Sequence, residues 1–244
     1  MAENFVLIHG AWHGGWCWAA VINELDKRGD RAFAVDLPGT NANPLDRAKV
    51  NLQVYVDSAI RWIEDRNLRN VILAGHSMGG LVLPGVAAKI TRRIKRVVFV
   101  TAMVAEDGKG GLDPASEGTK PLVALADSRY DKSLPIEAME ENFRKFFFQD
   151  ASREVQNWVM GALCPQPLRP LIEPVAMKAF HASGVPQSYL VCEDDIAPAG
   201  AGHFHDQYLP RLTTPSIRRV KSGHEVMFTQ PRACADALYE FARE

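Results

Sequence analysis

Val71-Ile72-Leu73-Ala74-Gly75-His76-Ser77-Met78-Gly79-Gly80 is the stretch on which the reading of this chain turns. An apolar run suited to a buried strand leads straight into G-x-S-x-G, and a segment of helical character, 79–91, follows. Small residues at 75 and 79 allow a tight strand-to-helix turn that pushes the Ser77 hydroxyl beyond the end of a sheet, above a helix N-terminus. Ser77 is therefore the candidate nucleophile. The Met78 N–H, at the start of that helix, is a candidate donor to an oxyanion on the attacked carbonyl. An isolated match would more often be an N-cap beside a turn; the strand before and the helix after give this one its weight.

The same strand-then-helix rhythm runs along most of the chain. Short β-rich apolar runs at 5–9, 32–37, 71–74, 97–102, 188–192 and 216–220 alternate with helical segments at 16–28, 50–67, 79–91, about 206–212, and 231–243. In the second of these segments Val54, Ala59, Ile60 and Ile63 keep to one stripe, and Pro231 suits the first turn of the last. Most of the strand runs are continuously apolar, so both faces of their sheet should be covered. The expected fold is α/β: a three-layer α/β/α sandwich around a mostly parallel sheet of about six strands. From about 106 to 182 the strand rhythm stops. A structureless loop of that length would be unusual, so a helical cap is expected there, with main helices at 136–148 and 153–163, inserted within a single domain spanning 1–244.

Composition narrows the function. Hydrophobic residues make up 47% of the 244, enough for one large core, and 28 Lys plus Arg against 29 Asp plus Glu leave a formal charge of −1. Nothing global favours nucleic acid or an anionic membrane, so the expected partner is a small molecule. The N-terminus has no basic n-region and its apolar run is too short for a signal peptide, and no stretch approaches ~20 apolar residues. A cytoplasmic protein is expected. Cys17, Cys164, Cys192 and Cys234 lack C-x-x-C spacing and read as reduced thiols, with no metal implied. His203 and His205 with Asp206 form one short H-x-H pair, more in keeping with surface histidines than with a metal site. Neither G-x-G-x-x-G after the first strand nor G-K-[ST] is present, so no NAD, ATP or other cofactor is expected. No segment marks a partner surface, and a homodimer is left open.

A serine needs a base, and His224 stands in the turn after the last strand, where the chain returns to the same sheet edge. The third member should follow the preceding strand. There Asp195 is the favoured acid and Asp194 the alternative, since spacing does not separate them. Trp12 and His13 read either as pocket wall or as supports for the first turn. Phe143, Phe146, Phe147, Phe148 and Trp158 read either as an apolar lid or as ordinary packing.

With Phe5-Val6-Leu7-Ile8-His9-Gly10-Ala11-Trp12-His13-Gly14-Gly15-Trp16-Cys17-Trp18, Gly75-His76-Ser77-Met78-Gly79 and Ser222-Gly223-His224 in view, the whole chain resembles the α/β-hydrolases grouped with plant methyl esterases and hydroxynitrile lyases. The resemblance implies a second oxyanion donor at the Ala11 N–H, beside that of Met78. The lyases of that family carry a threonine just after the first-strand histidine and a lysine just after the catalytic one, where this chain has Gly10 and Glu225. The resemblance therefore points to the esterase branch. The acid loop is one residue shorter than the family's common pattern, which keeps Asp194 and Asp195 both open. The expected activity is hydrolysis of a small carboxylic ester. A triad-based lyase or other carbon–carbon bond-cleaving enzyme, and a small-molecule receptor on a hydrolase scaffold, are the other two readings.

Overall fold

A computed structural model describes residues 2–198 and 203–244. Six parallel strands, β1 (Asn4–Ile8), β2 (Arg31–Val35), β3 (Val71–Ser77), β4 (Ile94–Ala102), β7 (Gln187–Cys192) and β8 (Ser216–Val220), form one sheet in the order β2-β1-β3-β4-β7-β8. Alternate side chains of the central strands go to opposite faces. Val6, Ile8, Leu73, Val97 and Phe99 enter one buried cluster, and Phe5, Leu7, Ile72, Val98 and Val100 the other. That two-sided burial is why the strands read as unbroken apolar runs. At the edge, β8 alternates between half-buried and exposed positions instead.

Helices Ala19–Asp26 and Pro231–Phe241 cover one face, and Leu52–Asp65, Leu83–Lys89 and Met177–Ala182 the other. The expected helix 50–67 is trimmed by its caps. The Asn51 side chain accepts from the Val54 N–H at 2.8 Å, and Asn67 adopts φ 46°, a left-handed stop. Its buried stripe is Leu52, Tyr55, Val56, Ala59 and Ile63; Val54 and Ile60 lie at the margins because the Tyr55 ring turns inward. The expected helices 16–28 and 79–91 each begin as a 3-10 turn, Gly15–Trp18 and Met78–Leu81, before becoming α-helical.

Between β4 and β7 the chain holds helix Lys120–Ser128, a two-stranded ribbon of β5 (Ser133–Leu134) and β6 (Gln166–Pro167), helix Arg153–Ala162 and the short helix Arg169–Ile172. The helix expected at 136–148 is instead a single turn, Glu140–Asn142, running into a π-helical turn, Phe143–Phe147. The Phe148 N–H donates to the Phe143 carbonyl at 2.9 Å, and both rings are buried. Packing of these phenylalanines overrides the regular period. The base of the segment is clasped: the Gly108 N–H donates to Val175 O and the Val175 N–H to Lys109 O, both at 2.9 Å. No described helix is long and apolar enough to cross a membrane.

The strand order reverses direction between β1 and β3, so their C-terminal ends flank a topological switch point, where ligands bind in open α/β sheets. The turns there are in backbone contact. A Cβ on Gly75 would lie 2.9 Å from the Gly79 carbonyl, and one on Gly79 would lie 2.8 Å from Ile8 O. Gly79→Ala should therefore destabilise the protein by about 1–3 kcal/mol. Gly161→Ala, in helix Arg153–Ala162 with nothing within 4 Å of its Cβ site, should stabilise it by up to about 1 kcal/mol. Urea midpoints for the two variants check the contrast.

Candidate active site

Ser77 sits at the apex of the turn after β3 with φ 49° and ψ −121°. A non-glycine residue held there stores about 1–3 kcal/mol of backbone strain. The Met103 N–H donating to Ser77 O at 3.0 Å, and the close glycine contacts below it, hold the apex in place. Ser77 opens onto a cavity of about 270 Å³ whose wall includes Ala11, Trp12, Met78, Met103, Leu122 and Met139. No charged side chain lines it among the described residues; Asn142 and Tyr208 are its other polar residues apart from Trp12. The Trp12 indole N–H is already committed to Leu134 O at 3.1 Å. A wider polar groove of about 430 Å³ near Arg211 shares only Leu112 with this cavity and contains neither serine nor histidine.

His224 is fully buried in the turn between β8 and the short helix Val226–Thr229. Its Nδ1 lies 2.7 Å from Asp195 Oδ2, and its Nε2 meets no hydrogen-bond partner. The rings of Phe147 and Phe204 pack steeply against the imidazole, with centroids 5.1 and 4.8 Å from its own, and both phenylalanines line the Ser77 cavity. Asp195, after β7, is equally buried: Oδ2 also accepts from the Thr101 hydroxyl, and Oδ1 accepts the Ala197 N–H at 2.9 Å. Asp194 is half exposed and pairs with Lys221. The structure thus brings Asp195, and not Asp194, to His224. Burial alone would lower the His224 pKa, but the charge and hydrogen bond of Asp195 outweigh it and raise the imidazole above 6.5. Glu225 and Asp150 push the same way when ionised.

The turn after β1 is fixed from several sides. Trp12 adopts φ 62°; its N–H donates to Gln166 Oε1 at 3.1 Å, and its carbonyl accepts the Cys164 N–H at 2.8 Å. His13 is buried and donates from Nδ1 to Ala11 O at 2.8 Å, so it supports the turn and does not line the cavity. Its pKa is lowered to about 3, mainly by burial, and burial also drops His76 well below 6.5. His76 Nε2 donates to the His224 carbonyl at 3.0 Å. Of the candidate lid aromatics, Phe147 reaches the cavity, Phe143 and Phe148 pack in the core, and Trp158 is largely exposed beside Trp16 and Phe228. His205 is buried, against the surface placement expected for it, and Asp206 caps the helix Phe204–Tyr208 through the His203 N–H.

Sequence reasoning missed Thr101, Gln149, Asp150 and Gln166. Thr101 is hidden inside an apolar strand run, yet it takes φ 34° and holds the Asp195 carboxylate. Gln149 donates to Asp194 O at 2.8 Å and Asp150 accepts the Gly223 N–H at 2.7 Å, so one corner of the 106–182 segment grips both loops. No local signal marks these residues. Metal-type ligand atoms of His76, His224 and Glu225 come within 4.8 Å of one another; His76 Nε2 and His224 Nδ1 are engaged by the His224 carbonyl and Asp195, and His76 Nδ1, His224 Nε2 and Glu225 Oε2 have no hydrogen-bond partner.

Residues 5–237 match the alpha/beta hydrolase family. The chain belongs to that family. A carbendazim hydrolyzing esterase of Nocardioides sp. (strain SG-4G) is 30% identical over 248 residues, covering 96% of this chain and 98% of its own. Methylesterase 18 of Arabidopsis thaliana is 34% identical over 261 residues, covering 98% and 95%. An extracellular alpha/beta-hydrolase from a Paenibacillus species, with structural and functional homology to tobacco salicylic acid binding protein 2, is 29% identical. It superposes with a TM-score of 0.88 over 99% of this chain and 100% of that one. Within the alpha/beta hydrolases, the chain falls in the esterase branch that holds the plant methylesterases.

Because Asp195 is the strongest of the influences raising the His224 pKa, Asp195→Asn should move the imidazole titration downward, and Asp194→Asn should leave it in place. Ring-proton NMR titrations of the two variants check this.

Proposed function

We propose that the protein hydrolyses small, uncharged carboxylic esters, with Ser77 as nucleophile, His224 as general base and acid, and Asp195 as the residue that orients and charges the base. The observation that carries this reading is a buried His224 with Nδ1 bonded to Asp195 and Nε2 unpartnered, its ring packed against Phe147 and Phe204, which line the cavity onto which Ser77 opens from a strained turn. The Nδ1 bond selects the tautomer in which Nε2 accepts. Ser77 Oγ attacks the ester carbonyl as Nε2 takes its proton, and the Ala11 and Met78 N–H groups, both at the cavity wall, bind the oxygen that gains charge. The imidazolium then returns its proton to the departing alcohol. Water, deprotonated by the same nitrogen, attacks the acyl-enzyme and releases the acid and free Ser77.

Substrate class follows from the wall. A cavity of about 270 Å³ without a charged side chain suits a small apolar acyl or alcohol group, since an anion there would be desolvated without a partner. The 106–182 segment acts as the cap that selects this group: it contributes Leu122, Met139, Asn142, Phe147 and Leu171 to the wall. The absence of a cation from the described wall favours ester hydrolysis over cyanide release, and the complete set of reacting groups favours turnover over a receptor role. The cysteines are all free and buried, which fits action in a reducing compartment such as the cytoplasm.

Ser77→Ala should lower p-nitrophenyl acetate turnover by about 10⁴-fold or more with the thermal midpoint preserved; undiminished turnover would refute the mechanism. The base works only when neutral, and its pKa is raised. Activity should therefore fall as pH drops through a midpoint above 6.5, and a kcat/KM profile flat across that range would point to another base. An anionic ester such as a p-nitrophenyl hemisuccinate should react at least about tenfold more slowly than the butyrate.

A further inference from the structure

His13 Nε2, His76 Nδ1 and Glu225 Oε2 are buried without a hydrogen-bond partner, and the mechanism above gives them no task. Simple bonding rules assign their protons. His13 Nδ1 faces the Ala11 carbonyl, which only accepts, so Nδ1 carries the hydrogen and Nε2 is a bare lone pair in the neutral ring. His76 Nε2 likewise donates to the His224 carbonyl, leaving Nδ1 bare. Glu225 is 1% exposed, and its Oε2 lies 3.5 Å from His13 Nε2. An ionised carboxylate would set the lone pairs of Oε2, which has no hydrogen-bond partner, against the bare Nε2 of His13. An ion pair made by protonating His13 would put a second cation near His224, which becomes positive during turnover, and would bury two charges with poor geometry. A neutral acid avoids both.

We propose that Glu225 is a positioning residue: a neutral carboxylic acid whose O–H donates to His13 Nε2 and so ties the loop of His224 to the turn that carries Ala11. Two hydrogen bonds in series, Glu225 to His13 Nε2 and His13 Nδ1 to Ala11 O, then join the neighbour of the base to an oxyanion donor. His76 closes the other side, joining the neighbour of the nucleophile to the His224 carbonyl. The surrounding groups agree. Burial pushes Glu225 up to about 8; Asp195 and Asp150 oppose its ionisation, and His224 opposes the shift. His9 and His76 are held neutral by burial and so supply no cation, and the Cys17 and Cys192 thiols are pushed well up by it and so supply no thiolate. The purpose of this tie rests on the proposed esterase mechanism; the protonation itself does not.

The test compares wild type with Glu225→Gln, whose amide N–H donates as the acid would, and Glu225→Leu, which has no donor. Infrared difference spectra of resting wild type against Glu225→Gln at pH 6 should show the carbonyl stretch of a neutral carboxylic acid, lost above a pH of about 8. With a carboxyl that ionises near 4.5 when unfolded and about 8 when folded, unfolding releases a proton between those values. Wild type should thus lose thermal stability relative to Glu225→Gln as pH rises through that window. Glu225→Gln should keep kcat within about threefold at pH 7 and lack the alkaline decline of wild type, with the same acid limb. Glu225→Leu should lower kcat about ten- to hundredfold, with KM within about twofold. No acid band at pH 6, parallel pH–stability curves, or a stoichiometric metal ion retained by wild type would overturn the proposal. So would a Glu225→Gln variant as slow as Glu225→Leu. Should Glu225→Leu fail to fold, the glutamine variant and the spectra decide alone. If Ser77→Ala remains active, the esterase reading fails while the acid band persists.

Discussion

Everything at this site depends on two turns being close enough for their backbones to touch. The apex after β3 rests on the end of β1, with Gly79 against the Ile8 and His9 carbonyls and Gly75 against Gly79 itself. No side chain fits between them, so Ser77 is forced into a left-handed conformation at the point where the strand order reverses. That contact sets the serine and the Ala11 turn at one rim of the sheet. The two loops bearing Asp195 and His224 arrive at the same rim because β7 and β8 are parallel to β3. Parallel pairing delivers every carboxyl end to one side, and the local contacts then fix their spacing.

The sequence was legible wherever backbone constraint or two-sided burial dominates. The five inner and leading strands read correctly because buried parallel strands admit little but apolar residues, the edge strand β8 read correctly from its short β-branched run despite its arginines, and the turn after β3 read correctly because its glycines have no substitute there. Ser77, His224 and Asp195 could be proposed from chain order, yet the choice between Asp194 and Asp195 needed coordinates. Adjacent residues on a loop differ only in direction: one meets Lys221 in solvent and the other meets His224 in the core. Thr101 was invisible because a threonine in a strand is unremarkable until its φ is known.

The segment between β4 and β7 was the least legible. Its helices are short, its aromatic residues divide between core and cavity, and its π-helical turn answers to packing partners such as Trp12, far away in the chain. Periodicity carries information only where one face meets one environment. Here Phe143, Phe147 and Phe148 meet three: the Trp12 indole, the His224 ring and the rings of His13 and Phe228. The same crowding makes this corner consequential, since Gln149 and Asp150 reach from it to the loops that carry Asp195 and His224.

The clasp of Gly108 and Lys109 with Val175 brings the two ends of this long excursion together. A segment whose ends are already joined is topologically a closed appendage: its length and course can change without altering the order of the sheet. The cavity wall it supplies, Leu122, Met139, Asn142, Phe147 and Leu171, can then change shape while Ser77, Asp195 and His224 stay on the rim of the sheet beneath. Its hold on the loops of Asp195 and His224 limits that freedom, because any altered segment would have to grip them in a new way.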